Sequence, residues 1–473
     1  VALDVLLLEV WNRNTPYRLL PSDNIGIAFL KAALDAHTDL ATGMINSERL
    51  YFHEAVEGDP LERILDYIAH YASDNPRLIL GLSGTKTRLG DLNQLAARVR
   101  GCHPDITIMA GGYGPTFSPG EVLASGVSAV CIGEGDATVI ELVKALRGEM
   151  PLSQVAGIAY LRDGGLVTTP PRPLVDVSTL PPPSFVYVNG RSLLAEEYAY
   201  AHRGCCYRCD FCNVHQFYAK GPGRVWRPRS AGQLHREYRI RRFLNPGLKL
   251  IGHADDNFLI QADFLEELRD RILSDPLTHD LRIVFSAGAC EINRHWTTIE
   301  RCLDVVSGIA FGYESRVRSF LLRQRKGPPG VDMVHENREA VRKLQEARAR
   351  HAHFNYSINH ILADRHSTLD ELAEIYPGEE DFDKVQWAIR VLRNGSTVID
   401  YRDERNKTYP LFVQAYARVV GSVCGFTHPL TLFESSIAGQ HRAVLESALE
   451  GVFRQAHQIA QAVYDRHGDQ QGA

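Results

Sequence analysis

Three thiols define the chemistry open to this sequence. Cys205, Cys209 and Cys212 stand at spacings x3 and x2 in Cys205-Cys206-Tyr207-Arg208-Cys209-Asp210-Phe211-Cys212. A short loop of this spacing can wrap three sulfurs around three corners of an iron–sulfur cubane and leave the fourth iron without a protein ligand. That open iron is where a chelating cofactor can bind and be reduced. Zinc is the first rival, but a structural zinc site wants four closed ligands, usually as two paired hooks. No second hook follows here, although His215 offers a lone fourth ligand. A disulfide framework is the second rival. It suits short secreted chains, whereas five of the nine cysteines (Cys102, Cys131, Cys290, Cys302 and Cys424) are scattered and read as buried free thiols. The cluster is the reading that the spacing favours.

The chain that must position this loop is too long, at 473 residues, for one ordinary core, so two or three domains are expected. Hydrophobic residues make up 44% and charged ones 23%, the balance of a globular protein in water. A formal net charge of -5 gives no general attraction to nucleic acid or to an anionic membrane, and neither is expected as a partner. The opening VALDVLLLEV is apolar but too short to span a bilayer and has no charged run before it; it reads as a buried strand. No transmembrane segment, repeat or low-complexity tract is expected. A reducing cytoplasm fits both the thiols and the cluster.

Residues 1–150 alternate strand and helix signals in the manner of an open parallel sheet. Apolar runs fall at 3–10, 40–45, 77–82, 105–110 and 128–132, with helix-like segments near 25–36, 60–72, 91–101, 119–125 and 137–147. Glycines follow three of the strands, in Ser83-Gly84-Thr85, Gly111-Gly112-Tyr113-Gly114-Pro115 and Gly133-Glu134-Gly135. Ligands of such sheets bind beyond the carboxyl ends of the strands, so together these glycines point to a groove. Residues 151–190 read as a connector, with a hairpin around Asp163-Gly164-Gly165 and then a run of prolines.

From 191 to 395 strand and helix signals alternate again. Beginning with AYAHRG at 199–204, strands are expected at 248–254, 281–287, 305–313, 353–362 and 385–392. Helices fit at 230–243, 262–273, 293–303, 331–350 and 368–375, the first with Ser230 as N-cap. Residues 396–473 read as a mostly helical C-terminal region.

The string RGCCYRCDFC, with Phe211 before the last cysteine, resembles the radical S-adenosylmethionine (SAM) enzymes. The resemblance implies a [4Fe–4S] cluster on Cys205, Cys209 and Cys212, with Cys206 unbonded, and an open iron that chelates the amino and carboxylate groups of SAM. One electron then cleaves SAM to methionine and a 5′-deoxyadenosyl radical. It also implies a partial (β/α)6 barrel with its chemistry at the carboxyl ends of the strands. Phe211 joins the cofactor-binding set. Asp255, Asp256 and Asn257 inherit the role of holding the SAM amino group, against the alternative of an Asp capping the next helix, and the glycine-glycine-glutamate form of that motif is absent. Gly312-Tyr313-Glu314-Ser315 resembles the family's G-x-E-S segment near the SAM ribose and methionine, which assigns Glu314 and Ser315 to SAM. Ser357 lies on the fifth strand, Asp364 closes it against the cavity, and Arg390 either meets the SAM carboxylate or pairs at the surface. Tyr218 either donates a proton or holds a substrate hydroxyl, or packs its ring. Arg227 and Arg229 can offset negative charge near the cluster.

The order AGGYGPT, CIGEGDATVIELVKAL, VAGIAYLRDGG and TLPPPSF resembles the cobalamin-binding domain found ahead of many radical SAM cores, over about residues 1–185. The DxHxxG motif that would bring a histidine to cobalt is absent. A flavodoxin-like scaffold outlasts the loss of its ligand, so cobalamin stays open. The family further implies a small-molecule substrate and a one-electron reductant such as flavodoxin or ferredoxin. Length, lone cluster and front domain together resemble the radical SAM diol-dehydratases of aminoglycoside (apramycin) biosynthesis. That implies removal of the 3′ oxygen of a precursor such as paromamine, together with a separate NADPH-dependent reductase. The acids Asp255, Asp256, Glu291, Glu314 and Asp364 at expected strand ends suit a polycationic aminosugar. The alternatives are a cobalamin-dependent C-methyltransferase of natural-product or lipid pathways and, without catalysis, a zinc-stabilised binding module. Serine at Cys205, Cys209 or Cys212 is expected to lower the iron and sulfide content of anaerobically reconstituted protein and abolish SAM cleavage, whereas Cys206→Ala keeps both.

Overall fold

A computed structural model describes residues 2–10, 25–47, 50, 60–85, 88–190 and 196–360. The chain divides into two compact units. The first takes the chain up to Cys206 together with Val214–Val284, and the second takes Tyr207–Asn213 together with the chain from Phe285 onward.

The first unit opens with β1 (Val5–Glu9), α1 (Ile25–His37), β2 (Thr42–Ile45), α2 (Pro60–Asp74), β3 (Ile79–Ser83) and α3 (Leu89–Cys102). Then come β4 (Thr107–Gly111), α4 (Tyr113–Phe117), α5 (Pro119–Ala124), β5 (Ala129–Cys131) and α6 (Thr138–Leu146). The hairpin strands β6 (Ile158–Arg162) and β7 (Gly165–Thr168) complete a seven-stranded sheet of order β2-β1-β3-β4-β5-β6-β7. Strands β1 to β5 pair in parallel, and β6 and β7 add to the edge antiparallel. The near-continuous apolar runs follow from burial on both faces. Leu6 and Leu8 pack with Ile64, Ile68, Leu92 and Leu95 of α2 and α3. Val5 and Leu7 pack with Ile27, Leu34, Val139 and Leu142 of α1 and α6. Asp163 and Gly164 both take positive φ, as a two-residue hairpin turn requires. The sequence reading had no helix at Tyr113–Phe117, where the glycine-rich run turns once before α5.

The same unit continues with β8 (Glu196–Ala199), β9 (His202–Arg203), α7 (Val214–Tyr218), β10 (Arg227–Pro228), α8 (Ala231–Leu244), β11 (Leu250–His253) and α9 (Asp263–Ser274). Strands β8 and β11 pair in parallel, and β9 pairs antiparallel with β10. The strand expected at 199–204 therefore lies a few residues earlier. Its ladder stops because the carboxylate of Asp255 takes the amides of Ala201 and His202. Ser230 caps α8 in a reciprocal box with Gln233, as expected. Beneath α8, Glu237 accepts from Arg229 at 2.7 Å and from Arg241 at 2.9 Å, and Arg241 also reaches Glu197 at 2.9 Å. Burial acts to raise the pKa of Glu237, but the two guanidiniums outweigh it and hold the carboxyl below the usual range.

Strand β12 (Arg282–Gly288) carries the chain into the second unit. There follow α10 (Ala289–Arg294), α11 (Trp296–Arg301), β13 (Val306–Glu314), α12 (Arg318–Arg323), α13 (Met333–Arg350) and β14 (Asn355–His360). The single helix expected at 293–303 is two short ones, because His295 leaves helical geometry at φ -106, ψ 20. Strands β13 and β14 are parallel, with a register shift between Gly312 and Glu314. Helix α13 starts from Asp332, whose side chain accepts from Val334 N, and it buries Ala340, Val341 and Leu344. No helix among the described residues is long and apolar enough to cross a membrane. The expected sixth strand at 385–392, the helix at 368–375 and the region 396–473 lie outside the described residues.

Removing Glu237 would leave two buried guanidiniums without their shared acceptor. Glu237→Ala is expected to destabilise the fold by about 3–5 kcal/mol, seen as a lower thermal midpoint. Since its folded pKa is depressed, the contribution is present above the unfolded carboxyl pKa and is lost as pH falls through the folded value.

Candidate functional site

Cys205, Cys209 and Cys212 are half-buried and in no disulfide, and Cys206 is exposed. The part of the loop that belongs to the second unit is held at several of its residues. Tyr207 bonds through its hydroxyl to the buried carboxylate of Glu291 at the head of α10. Asp210 pairs with Arg325, and its amide donates to Gln324 O at 2.9 Å. Lys326 Nζ lies 5.6 Å from the centre of the Phe211 ring. Cys212 N donates to Cys209 O at 3.0 Å. Burial raises the Cys209 pKa, with the Lys326 charge acting against it. Among the described residues, no three His, Cys, Asp or Glu side chains are grouped as ligands of one metal ion. A cubane instead gives each thiolate its own iron, and three half-buried thiols outside any disulfide suit that donor set.

Strand β13 ends in a second built feature. Glu314 has φ +62, one of three non-glycine residues with positive φ among those described. It is buried, and its Oε1 accepts from Lys326 Nζ at 2.9 Å. Asn337 of α13, also buried, donates to Tyr313 O at 2.8 Å and to Ser315 O at 3.2 Å, clasping the turn from below. Ser315 Oγ accepts from Val317 N at 3.1 Å. Asn337 and Lys326 were absent from the sequence reading. Asn337 was detectable, since it stands between Met333 and Ala340 on the apolar stripe of α13, where a polar side chain needs a partner.

At the end of β11, Asp255 is surrounded by donors from the protein. Its oxygens accept from Ala201 N, His202 N, His202 Nδ1 and His253 Nδ1, and Tyr238 bonds to the far nitrogen of His253. Burial works to raise its pKa, but the two histidine bonds outweigh it and keep the carboxyl well below the usual range. Asp255 is thus clamped inside the protein by four donors, and it does not cap α9, whose N-cap is Ala262. Asn257 is buried beside it. Asp256 differs. It is exposed, and its Oδ2 accepts from Gly204 N at 3.1 Å. Gly204 holds φ +80, and a Cβ there would come within 2.2 Å of Val225 O, so the residue before Cys205 must be glycine. Crowding by protein, and then the Asp255 charge, push the pKa of Asp256 up to about 7, while the hydrogen bond from the Gly204 amide acts against the shift.

The three glycine signals of the front sheet line one cavity of about 330 Å³ at the carboxyl ends of β3, β4 and β5. Gly84, Gly112 and Gly133 share its wall with Arg203, Phe217 and Tyr218. Tyr113 stacks on Phe217 at 4.2 Å. Arg203 pairs with Asp136 at 2.7 Å and with Glu134 at 3.1 Å, and Arg227 grips Glu134 at 2.7 and 2.9 Å. Arg227 and Arg229 are thus paired with Glu134 and Glu237. The Arg227 guanidinium lies 5.2 Å over the ring of Tyr218. Burial and then the Asp256 charge raise the Tyr218 pKa well above its ordinary value, so the phenol keeps its proton.

Residues 20–143 match the B12 binding domain. The match falls on the sheet whose carboxyl ends carry the cavity. The chain is similar to an anaerobic magnesium-protoporphyrin IX monomethyl ester cyclase of Synechocystis sp., 25% identical over 280 residues, which cover 57% of this chain and 53% of the relative. It is also similar to an uncharacterized methyltransferase of Pyrococcus horikoshii, 28% identical over 207 residues, or 42% of this chain and 44% of the relative. These matches thus span about half the length of either relative. Among solved structures, the cobalamin-dependent SAM radical enzyme OxsB with aqua-cobalamin bound superposes with a TM-score of 0.65 at 18% identity, covering 97% of this chain and 72% of that one. The radical SAM methyltransferase TsrM from Kitasatospora setae gives 0.63 at 16% identity, covering 79% and 70%. The B12 binding domain followed by a radical SAM-type α/β region is therefore the shared fold.

Of the remaining expected site residues, Ser357 lies on β14 opposite Ala310, with its side chain outside the description. Asp364 and Arg390 fall outside the described residues. An amine donor held by Asp256 binds better when the carboxyl is ionised, so affinity rises with pH through about 7. SAM is expected to bind about tenfold more weakly at pH 5.5 than at pH 7, and Asp256→Asn to flatten that dependence, as read by equilibrium dialysis.

Proposed function

We propose that this chain is a radical SAM enzyme that abstracts hydrogen from a polar small molecule. The observation that carries the reading is the cysteine loop, whose intervening residues Tyr207, Asp210 and Phe211 are each tied down. A [4Fe–4S] cluster on Cys205, Cys209 and Cys212 would supply the electron that cleaves SAM to a carbon radical, with a flavodoxin- or ferredoxin-like protein as its reductant. Asp256 and Glu314 would hold SAM, and Phe211 would flank the cluster. The anchored loop fixes where the radical arises, and such placement contributes several kcal/mol to a barrier.

For the reaction we favour radical dehydration of a 1,2-diol, 3′-deoxygenation of an aminoglycoside precursor such as paromamine, in concert with a separate NADPH-dependent reductase. Tyr218, whose raised pKa keeps the phenol protonated, would donate a hydrogen bond that holds the leaving hydroxyl in place. Three of the five acids once suited to a polycation are engaged within the protein: Asp255 with two histidines, Glu291 with Tyr207 and Glu314 with Lys326.

The B12 binding domain match favours a second reading, cobalamin-dependent methyl transfer. The front cavity takes a drug-sized organic group, so it fits part of a corrinoid, and its described lining contains no histidine to meet cobalt.

Anaerobically reconstituted protein given SAM, reductant and paromamine separates these readings. Dehydration yields 5′-deoxyadenosine and a 3′-deoxygenated product by mass spectrometry. A C-methylated product with a corrinoid absorption band supports the second reading instead, and zinc in place of iron removes both. Tyr218→Phe is expected to lower product formation about 100-fold or more while 5′-deoxyadenosine is still formed.

A further inference from the structure

Lys326 belongs neither to the cysteine motif nor to the strand-end acids, yet it touches both. Its Nζ lies 2.9 Å from Glu314 Oε1 and 5.6 Å from the centre of the Phe211 ring, the residue before Cys212. The Lys326 and Glu314 side chains are 13% and 10% exposed, so the pair is largely withdrawn from water. The backbone is shaped to deliver it. Arg325 and Gly327, on either side of Lys326, both take positive φ, +49 and +77. The chain therefore reverses directly after α12, with Lys326 N donating to Leu321 O at 3.0 Å. On the opposite side Gly312 leaves the space. A Cβ there would come within 3.0 Å of Glu314 Oε1 and 3.1 Å of Lys326 Nζ. Glu314 itself keeps a left-handed backbone, which persists where the surroundings over-determine it.

We propose that Lys326 is a positioning residue for SAM: it fixes Glu314 by one carboxylate oxygen, leaving the other to accept from a hydroxyl of SAM, and braces Phe211 beside the cluster. The inference rests on the radical SAM reading of the chain. Oε2 of Glu314 has no partner among the described residues, which suits an acceptor kept for a ligand. Without the ammonium the carboxylate loses its described partner and its fixed orientation, and the ring of Phe211 loses the cation lying over it.

The test uses the full chain, reconstituted anaerobically, with iron content, SAM dissociation constant, KM and kcat measured for each variant. Lys326→Met is expected to keep its iron, to bind SAM about tenfold more weakly or worse, and to raise the KM for SAM with kcat changed less. Lys326→Arg restores most of the affinity. Glu314→Gln weakens SAM binding similarly, and Lys326→Met combined with Glu314→Gln is no worse than Glu314→Gln alone, as required if the lysine acts through the glutamate. Wild-type affinity in Lys326→Met, or multiplied losses in the double variant, overturns the proposal and leaves the radical SAM reading standing. A wild-type chain that holds iron but binds no SAM removes the reading beneath it. Should Lys326→Met fail to take up iron, Lys326→Gln replaces it, and SAM affinity that does not follow the positive charge across Arg, Lys and Gln overturns the proposal.

Discussion

A carboxylate at the end of a buried strand needs donors around it, and the described protein is built on meeting that need. Asp255 meets it with two backbone amides and two histidine rings, and so ties β11 to the turn that leads into the cysteine loop. Glu314 meets it with Lys326. Each pairing does two jobs. It offsets the loss of hydration, and it fixes a loop end that an apolar contact would leave free to slide. Deleting one partner strands the other as an uncompensated charge, which is why such pairs behave as clamps rather than as additive contributions.

The front sheet works on the opposite principle. Its five parallel strands are apolar on both faces, and their stability comes from burial under helices, so the loops beyond their carboxyl ends are free to vary. Glycines hold those loops close and leave a cavity, whose wall is completed by Arg203, Phe217 and Tyr218 from the segments around the cysteine loop in sequence. Glu134, from the glycine-rich turn after β5, is gripped by both Arg203 and Arg227. One acid thus links the cavity wall to the residues on either side of the motif. This arrangement explains why an arginine two residues before Cys205 is where it is, without giving it a role in cluster chemistry.

Much of the fold was legible because its signals are local. Strands β1 to β5, their helices, the Asp163-Gly164 hairpin and the Ser230 cap all follow from periodicity, turn residues and capping within a few positions. Local signals missed where a strand stops for a distant reason. The ladder of β8 ends at Ala199 because a carboxylate 54 residues away takes the amide of Ala201. The split of the helix at His295 and the single turn at Tyr113–Phe117 were likewise invisible to a reading by periodicity.

The sequence by itself determined the types and spacing of the cysteines, the alternation of strands and helices, and the acids that follow the strands, since type and spacing are written along the chain. Which of those acids is clamped and which stays open was decided only by the tertiary structure. Asp255 and Asp256 are neighbours with the same side chain, yet one is enclosed by four donors and the other faces solvent. The reason is physical: a hydrogen-bond partner lies wherever folding brings it, as His202 does from 53 residues away, and no local pattern records that distance.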